Sequence, residues 1–302
     1  MTSFLIIGDA MIDEYVHVRP ARRSPEDPGT YVFHVIKTER KPGGCLNVAA
    51  NVRSLIHPES DAYISTIISK DQSHWMQHVT HIETHWYLAN YHGHALTKRR
   101  LVDSATRHQL LRVDDPPTYN SGHTLEFAKR LASGKESLDE FDCIIVSDYC
   151  KGAVTPKLAE ILQEFPVPIF IDTKKEDLRI WKNIPNCFIK INSSEYAKAF
   201  NSGKVNLIVT DGANGSVLYP KDGGNCERVA GKPVENANVI GAGDCYLAGL
   251  AVGYMEHKLP IVEAMAYADT VARASVRDFG TTVVTPAQLE MERQHDDHGH
   301  AR

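Results

Sequence analysis

The chain has 302 residues, of which 42% are hydrophobic and 24% are charged, and its formal net charge is −5. These values are ordinary for a globular protein of one large or two small domains, and they give no reason to expect nucleic acid or a membrane surface as a partner. No apolar run approaches the ~20 residues that span a bilayer, and the first residues lack a basic signal-peptide segment, which predicts a cytoplasmic protein.

Short apolar segments alternate with helical patterns along the chain. The predicted strands are residues 4–7, 62–68, 143–146, 169–171, 187–191 and 207–209. The predicted helices are residues 47–55, 155–164, 194–200, 244–256 and 261–278. Strands that alternate with helices are typical of a parallel sheet with helices on both faces. The sequence therefore predicts an α/β fold built on a doubly wound, mostly parallel sheet.

Three segments depart from this alternation. Residues from about 14–39 and 95–113 alternate apolar and polar side chains with no helix between them, which predicts a small antiparallel β flap on the main sheet. The apolar face of this flap favours a homodimer. Residues 290–302 are polar and rich in histidine, which predicts a poorly ordered C-terminal tail with at most adventitious metal binding. The main domain is therefore expected to span residues 1–289.

Polar residues follow the predicted strands at the points where the strands end. They are Asp9, Asp148, Asp172, Asn192 and the run Thr210, Asp211 and Gly212. Each of them alone is explained as a helix cap or a turn residue. Parallel sheets, however, bind ligands outside the carboxyl ends of their strands. Because all of these residues share that edge, the sequence predicts a binding site there.

Two glycine-rich turns precede predicted helices. In the first, Gly43 and Gly44 would let backbone approach a polyhydroxylated ligand, and Asn47 offers both a donor and an acceptor. In the second, the sequence GAGD at 241–244, the glycines expose N–H groups at the positive end of a helix, where anions bind. Asp244 in this position also has a purely structural explanation as a helix-terminal acid. An anion pocket beside a carboxylate base would suit phosphoryl transfer to a hydroxyl group.

The motif GGCLNVA, followed about 200 residues later by GAGD, resembles the paired signatures of the ribokinase-like (phosphofructokinase-B) sugar kinases. The resemblance runs from Gly8 to Pro286 and implies a ribokinase-like fold, ATP as phosphoryl donor and Mg²⁺ as cofactor. The segments TKRRLVDSATRHQLLRVD and SDYCKGAVT are similar to bacterial D-glycero-D-manno-heptose 7-phosphate 1-kinases, which make a lipopolysaccharide precursor. Many of these kinases carry a nucleotidyltransferase domain, and because this chain ends soon after the kinase segment, we expect the monofunctional form.

The resemblance implies a role for each matching residue of the phosphoryl-transfer site. Asp244 would be the general base, and Gly241, Ala242 and Gly243 would donate N–H groups to the transferred phosphoryl group. Asn192 and Glu195, in NSSE, would help to hold Mg²⁺ through water. Thr210, Asp211 and Gly212 would line the nucleotide together with Asn192.

The resemblance also implies an acceptor site. Sugar hydroxyls would be held by Asp9, Asp13, Gly43, Gly44 and Asn47. A phosphorylated sugar needs cations, and the candidate substrate-binding residues beyond the hydroxyl ligands are Lys98, Arg100, Arg112, Asp148, Lys151 and Lys174. A charged, exposed strand face explains the three flap cations equally well.

Some positions differ from the family pattern. Asn238 and Ile240 stand where relatives usually have Asp and Thr before GAGD, Thr173 and Lys175 replace the Pro and Gly of an Asp-Pro-Lys-Gly element, and Asp211 replaces an Arg. Nucleotide affinity, ion dependence and substrate choice therefore stay open. The alternatives are a ribose, fructose or nucleoside kinase and a non-catalytic sugar-binding relative. A dinucleotide-dependent oxidoreductase is disfavoured because IIGDAMID, rather than GxGxxG, occupies the first strand and turn.

Overall fold

The computed structural model describes residues 1–82, 85–133, 140–200 and 205–299. Its main body is a nine-stranded sheet whose parallel strands are β1 (Ser3–Gly8), β4 (Asp61–Ser69), β5 (His85–Tyr91), β8 (Cys143–Asp148), β9 (Ile169–Thr173), β10 (Cys187–Asn192) and β11 (Asn206–Thr210). The edge strands β12 (Gly215–Tyr219) and β13 (Glu227–Ala230) are antiparallel. The strand order is β13-β12-β11-β10-β9-β8-β1-β4-β5.

Helices cover both faces of this sheet. They are α1 (Cys45–Leu55), α2 (Lys70–Thr80), α3 (Ser121–Ser133), α4 (Pro156–Leu162), α5 (Ser193–Tyr196), α6 (Ala242–Met255), α7 (Ile261–Ser275) and α8 (Pro286–Gly299). Helices α1, α6 and α7 contribute to one hydrophobic core, and α3 and α4 contribute to the other. Strands β8 and β9 are buried along their whole length, as expected for a parallel sheet covered on both sides. The predicted doubly wound fold is confirmed.

The flap is a separate four-stranded sheet. Its strands are β2 (Ala10–Arg23), β3 (Tyr31–Gly44), β6 (Thr97–Asp103) and β7 (Gln109–Asp115), in the order β3-β2-β6-β7. The outer pairs β2–β3 and β6–β7 are antiparallel, and the central pair β2–β6 is parallel. Because only Asp9 separates the end of β1 from the start of β2, the flap starts at the carboxyl edge of the main sheet, where the predicted ligand site lies.

Two predicted boundaries need correction. The helix expected over residues 194–200 is a single turn, α5, because Asn192 and Glu195 form a capping box at its start and Phe200 forms a β-bridge with Asp177. The tail expected to be disordered from residue 290 is helical through Gly299, as part of α8. Residues 300–302 lie outside the described part of the chain.

Helix α8 is attached to α7 by an ion-pair cluster. Glu292 is 2% exposed and accepts hydrogen bonds from Arg273 and Arg277. Removing one member of a buried ion pair leaves an uncompensated charge, which costs about 3–5 kcal/mol in a fully buried setting. Because the Arg277 side chain is 44% exposed, we expect the lower end of that range.

We therefore expect Glu292→Gln to lower the free energy of unfolding by about 3 kcal/mol, measured by urea denaturation. Glu290→Gln is the matched control, because Glu290 lies on the same helix with its side chain 59% exposed and its ion-pair partner Arg293 at 4.0 Å. Equal stability of the two variants would contradict the docking of α8.

Within the described ranges, the helices are too short or too polar to cross a membrane.

Candidate active site

Asp244 lies where the two glycine-rich motifs meet. It is in the first turn of α6 and is 3% exposed. Its Oδ2 accepts a hydrogen bond from Asn47 Nδ2 at 3.0 Å, and its Oδ1 accepts one from the Tyr149 hydroxyl at 2.7 Å. Burial raises the pKa of Asp244 to about 6, although these two hydrogen bonds oppose the increase. A carboxyl group with this pKa is ionised at neutral pH and accepts a proton more readily than an exposed Asp.

The turn before Asp244 is shaped by Gly241, the N-cap of α6. Gly241 has φ = +81°, a backbone conformation that favours glycine, and a Cβ there would make a tight contact of 3.0 Å with Asn47 Nδ2. The Ala242 N–H donates to the Val239 carbonyl at 3.3 Å, so this predicted phosphoryl donor is engaged within the turn. The helix N-terminus itself, at Gly243 and Asp244, faces the carboxyl edge of the sheet and favours an anion.

A chain of charges runs from this turn to the predicted magnesium element. Lys190, which is buried, donates to Asp172 Oδ2 at 2.8 Å and to the Gly243 carbonyl at 3.4 Å. Lys174 Nζ lies 3.4 Å from Asp172 Oδ1 and 2.6 Å from Glu195 Oε1. Burial alone would raise the pKa of Asp172, but the two lysines outweigh it and hold that pKa below its usual value. The chain therefore keeps cationic groups beside the helix N-terminus.

The predicted magnesium ligands are engaged in protein contacts. Asn192 Oδ1 accepts from the Glu195 N–H at 2.8 Å, and Glu195 Oε2 accepts from the Asn192 N–H at 2.9 Å. Among the described residues there is no cluster of three or more His, Cys, Asp or Glu side chains that could enclose a metal ion. Mg²⁺ keeps several of its own waters, and contact of Asn192 and Glu195 with the ion through such waters stays a prediction.

The predicted nucleotide residues lie at the end of β11. Thr210 Oγ1 donates to the Ile191 carbonyl at 3.3 Å, and Asp211 accepts from Asn214 Nδ2 at 2.8 Å. Gly212 has φ = +51° and has open space where a side chain would be. These residues continue the carboxyl edge beyond Asn192, so the structure places the predicted nucleotide and magnesium elements side by side.

The flap carries a charged face. Asp13, which is buried, accepts from Arg100 Nη2 at 2.9 Å. Lys98 is the β6 partner of Asp13, and Arg112 is the β7 partner of Arg100. Because directly paired residues in a sheet project to the same face, the three cations share one face with Asp13. Burial raises the pKa of Asp13, and the three cations oppose the increase.

Gly43 and Gly44 end β3 beside that face. A Cβ on Gly44, whose φ is +56°, would lie 2.4 Å from the Asp9 carbonyl oxygen. A Cβ on Gly43 would lie 2.4 Å from Asp13 Oδ2. The absence of side chains therefore allows the chain to pass tightly around Asp13 and into α1, which carries Asn47.

Three residues predicted to bind substrate have contacts within the protein. The Asp9 carboxylate accepts from the backbone N–H groups of Tyr149, Lys151 and Ala153 at 2.8, 3.0 and 2.9 Å. Asp148 accepts from the Thr173 hydroxyl at 2.7 Å and from Lys175. In this state, Asp9 and Asp148 hold the turn after β8, and Lys151 contributes its backbone to it. Contact of these residues with a sugar stays a prediction.

Sequence reasoning did not identify Tyr149 and Lys190 as site residues. Tyr149 follows Asp148 directly and is within the motif SDYCKGAVT. Its position after a predicted strand is the sequence feature that could have identified it as a site residue. Lys190 is a charged residue inside the buried strand FIKI, where a cation without a partner would be costly. Such a residue predicts a buried acidic partner, which the structure identifies as Asp172.

The sequence is similar to those of known proteins over nearly its whole length. The pfkB family carbohydrate kinase model matches residues 1–288. The "Bifunctional protein HldE" of Alkalilimnicola ehrlichii is 30% identical over 96% of this chain and 63% of the relative's length. The protein of the same name from Aeromonas hydrophila is 29% identical, with 94% and 62% covered. The chain thus spans less than two thirds of these relatives.

Solved structures share the fold at low sequence identity. A ribokinase from Thermotoga maritima superposes with a TM-score of 0.73 at 16% identity, covering 97% of this chain and 99% of the other. Escherichia coli phosphofructokinase-2 in complex with substrates and products superposes with a TM-score of 0.75 at 15% identity, covering 98% and 99%. With the family match extending over nearly the whole chain, we conclude that the protein belongs to the pfkB family of carbohydrate kinases.

Proposed function

We propose that the kinase transfers the γ-phosphoryl group of ATP to the 1-hydroxyl of D-glycero-D-manno-heptose 7-phosphate. The observation that carries this proposal is the cationic flap face of Lys98, Arg100 and Arg112, which shares its side of the sheet with Asp13. An acceptor that spans from Asp244 to this face would present its reacting hydroxyl to the carboxylate and its distal phosphate to the cations. Free ribose or fructose has no group that requires these cations.

In this mechanism, Asp244 takes the proton of the acceptor hydroxyl as that oxygen attacks the γ-phosphorus. The bond from the γ-phosphorus to the bridging oxygen of ATP breaks, and ADP leaves. The N-terminus of α6, beginning at Gly241, stabilises the negative charge on the transferred group. Lys190, which donates to the Gly243 carbonyl, adds a positive charge beside this helix N-terminus. Mg²⁺, when bound with the nucleotide near Asn192 and Glu195, would neutralise phosphate charge.

Product analysis tests the proposed acceptor atom. After incubation with ATP and heptose 7-phosphate, ³¹P and ¹H NMR should reveal a second phosphate coupled to the anomeric proton. A phosphate on another carbon would contradict the 1-kinase assignment. A complete lack of transfer to any sugar would favour the alternative of a non-catalytic sugar-binding relative.

Ion dependence follows from Asn238, which stands before GAGD. Its Oδ1 accepts from the Ile240 N–H at 3.4 Å and the Gly280 N–H at 3.2 Å. An amide here carries no charge, unlike the Asp implied by the family resemblance, so a monovalent cation beside this turn would be held less well. By contrast, E. coli phosphofructokinase-2, which shares the fold, has been solved in complex with potassium (TM-score 0.72, 15% identity, 97% and 98% covered).

We therefore expect weak or no activation by K⁺. Initial rates in KCl and in tetramethylammonium chloride at equal ionic strength provide the measurement, and Asn238→Asp is the converse variant, with increased K⁺ activation. Strong K⁺ stimulation of the parent would contradict this expectation.

The oligomeric state and the location of the protein belong to the same proposal. The flap exposes Val35, Ile36, Leu111 and Val113, each at least 40% exposed, and apolar side chains clustered on one sheet favour burial against a second copy. We propose a homodimer that acts in the cytoplasm, where ATP is available. Sedimentation equilibrium of the parent and of Leu111→Glu tests the dimer.

A further inference from the structure

The Tyr149 side chain lies at the centre of the site, although the mechanism of phosphoryl transfer gives it no role. Its hydroxyl donates to Asp244 Oδ1 at 2.7 Å. Its backbone N–H donates to Asp9 Oδ2 at 2.8 Å, one of three bonds by which Asp9 fixes the turn after β8. The hydroxyl is therefore presented to Asp244 from a turn that is itself held in place.

The Tyr149 ring is flanked by two cations from opposite sides of the site. Lys98 Nζ, on the flap, lies 4.4 Å from the ring centroid, and Lys174 Nζ, beside Glu195, lies 5.4 Å from it. Cations within about 6 Å of an aromatic face are attracted to it. Tyr149 thus contacts the acceptor side, the nucleotide side and the carboxylate between them.

The hydroxyl can act only as a hydrogen-bond donor to this carboxylate. Burial and then the Asp244 charge raise the pKa of Tyr149 well above its usual range, so the phenol stays neutral. Asn47 donates to the other oxygen, Oδ2. A donor on each oxygen fixes the plane of the carboxylate, and each oxygen keeps a second lone pair for the acceptor hydroxyl.

We propose that Tyr149 is a positioning residue, which orients the Asp244 carboxylate toward the acceptor hydroxyl and favours its charged form. The proposal rests on the proposed function of Asp244 as the base. The hydrogen bond from Tyr149 stabilises the carboxylate relative to the carboxylic acid, so without it Asp244 would be protonated over a wider pH range and less often able to take a proton.

The other ionisable groups near Asp244 are unchanged by a substitution that removes only the Tyr149 hydroxyl. Those that interact electrostatically with Asp244 or Tyr149 are Asp172, Lys190, Lys98, Lys174, Cys45, Cys245 and Asp13. Burial raises the pKa of each of the two cysteines, so their thiols stay protonated near neutral pH. A change in the titration of Asp244 on loss of the Tyr149 hydroxyl is therefore assigned to that hydroxyl.

The experiment compares Tyr149→Phe with the control Tyr119→Phe. The Tyr119 hydroxyl donates to the Lys151 carbonyl of the same turn, so the control removes a hydroxyl bonded to that turn without touching Asp244. Protein labelled with ¹³C at the aspartate carboxyl is titrated without substrate, and the Asp244 signal is the one missing in Asp244→Asn. We expect its midpoint, near pH 6 in the parent, to move up by about one to two pH units in Tyr149→Phe, the range for a lost hydrogen bond to a charged group, and to stay in place in Tyr119→Phe.

The acidic limb of the kcat/KM profile should move by the same amount in Tyr149→Phe. An unchanged midpoint in this variant, or an equal shift in Tyr119→Phe, would overturn the proposal. Because the titration needs no substrate, it separates this proposal from the proposed function, which fails instead if Asp244→Asn turns over substrate like the parent.

Discussion

Asp244→Asn is expected to lower kcat by about 10²–10⁴-fold, the usual contribution of a general base. The substitution preserves size and shape, and an amide can still accept from Asn47 and donate to the Tyr149 oxygen, which now bond to the two carboxylate oxygens. The loss is therefore assigned to the proton acceptor and not to disruption of the site. Initial rates with saturating ATP and acceptor measure it.

The same substitution should not destabilise the protein. Because the folded-state pKa of Asp244 is raised from 3.8 to about 6, the native state binds more protons than the unfolded state between these values, and stability falls as pH rises through that window. The amide removes this cost, so we expect Asn at position 244 to increase the free energy of unfolding at pH 7.5 by on the order of 1–3 kcal/mol. Parental turnover by this variant would contradict the assignment of the base.

Arg112→Ala is expected to have the second largest effect, and only with a phosphorylated acceptor. Arg112 forms a paired hydrogen bond with Asp114 at 2.6 and 2.5 Å, and its side chain is 43% exposed. A substrate phosphate can replace that carboxylate with the same planar geometry. Loss of a hydrogen bond to a charged group costs about 1.5–3 kcal/mol, so kcat/KM for heptose 7-phosphate should fall about 10- to 100-fold. Values for an unphosphorylated sugar should change little.

The chain offers a matched control for this variant. Arg179 pairs with Asp177 through the same two guanidinium nitrogens, at 2.9 and 2.8 Å, and is 51% exposed. It precedes β10 on another part of the molecule, so Arg179→Ala removes an equivalent surface pair away from the flap. Arg100 is less suitable, since it also holds the buried Asp13. Equal kinetics of the two variants, with either acceptor, would indicate that Arg112 belongs to a solvated strand face.

The main sheet could be predicted because each of its strands is recognisable from its local sequence alone. Segments such as β8 are apolar without interruption, which distinguishes strands buried on both faces from the surrounding helices. The position of the polar residues that follow these strands was predicted for the same reason. What the pattern could not reveal was which carboxylates form hydrogen bonds within the protein. Asp9, Asp148 and Asp172 all lie at or near the ends of parallel strands. Only the structure shows that the Asp9 carboxylate accepts hydrogen bonds from backbone N–H groups of the turn after β8.

The missed features depend on contacts between distant segments. Helix α8 has a polar sequence, and its anchoring Glu292 meets Arg273 and Arg277, which are 19 and 15 residues earlier in the chain. Tyr149 and Asp244 are 95 residues apart, so the hydrogen bond between them is set by the packing of β8 against α6 and is not visible in either motif. Local periodicity carries no information on such pairs.

The most direct test of the proposed function is a comparison of kcat/KM, with ATP as donor, for heptose 7-phosphate, the same heptose without phosphate, ribose, fructose and a nucleoside. The cationic flap face predicts the highest value for heptose 7-phosphate, by about 10-fold or more over the unphosphorylated heptose, since at least one charged hydrogen bond is lost with the phosphate. A higher value for ribose, fructose or the nucleoside would contradict the heptose assignment.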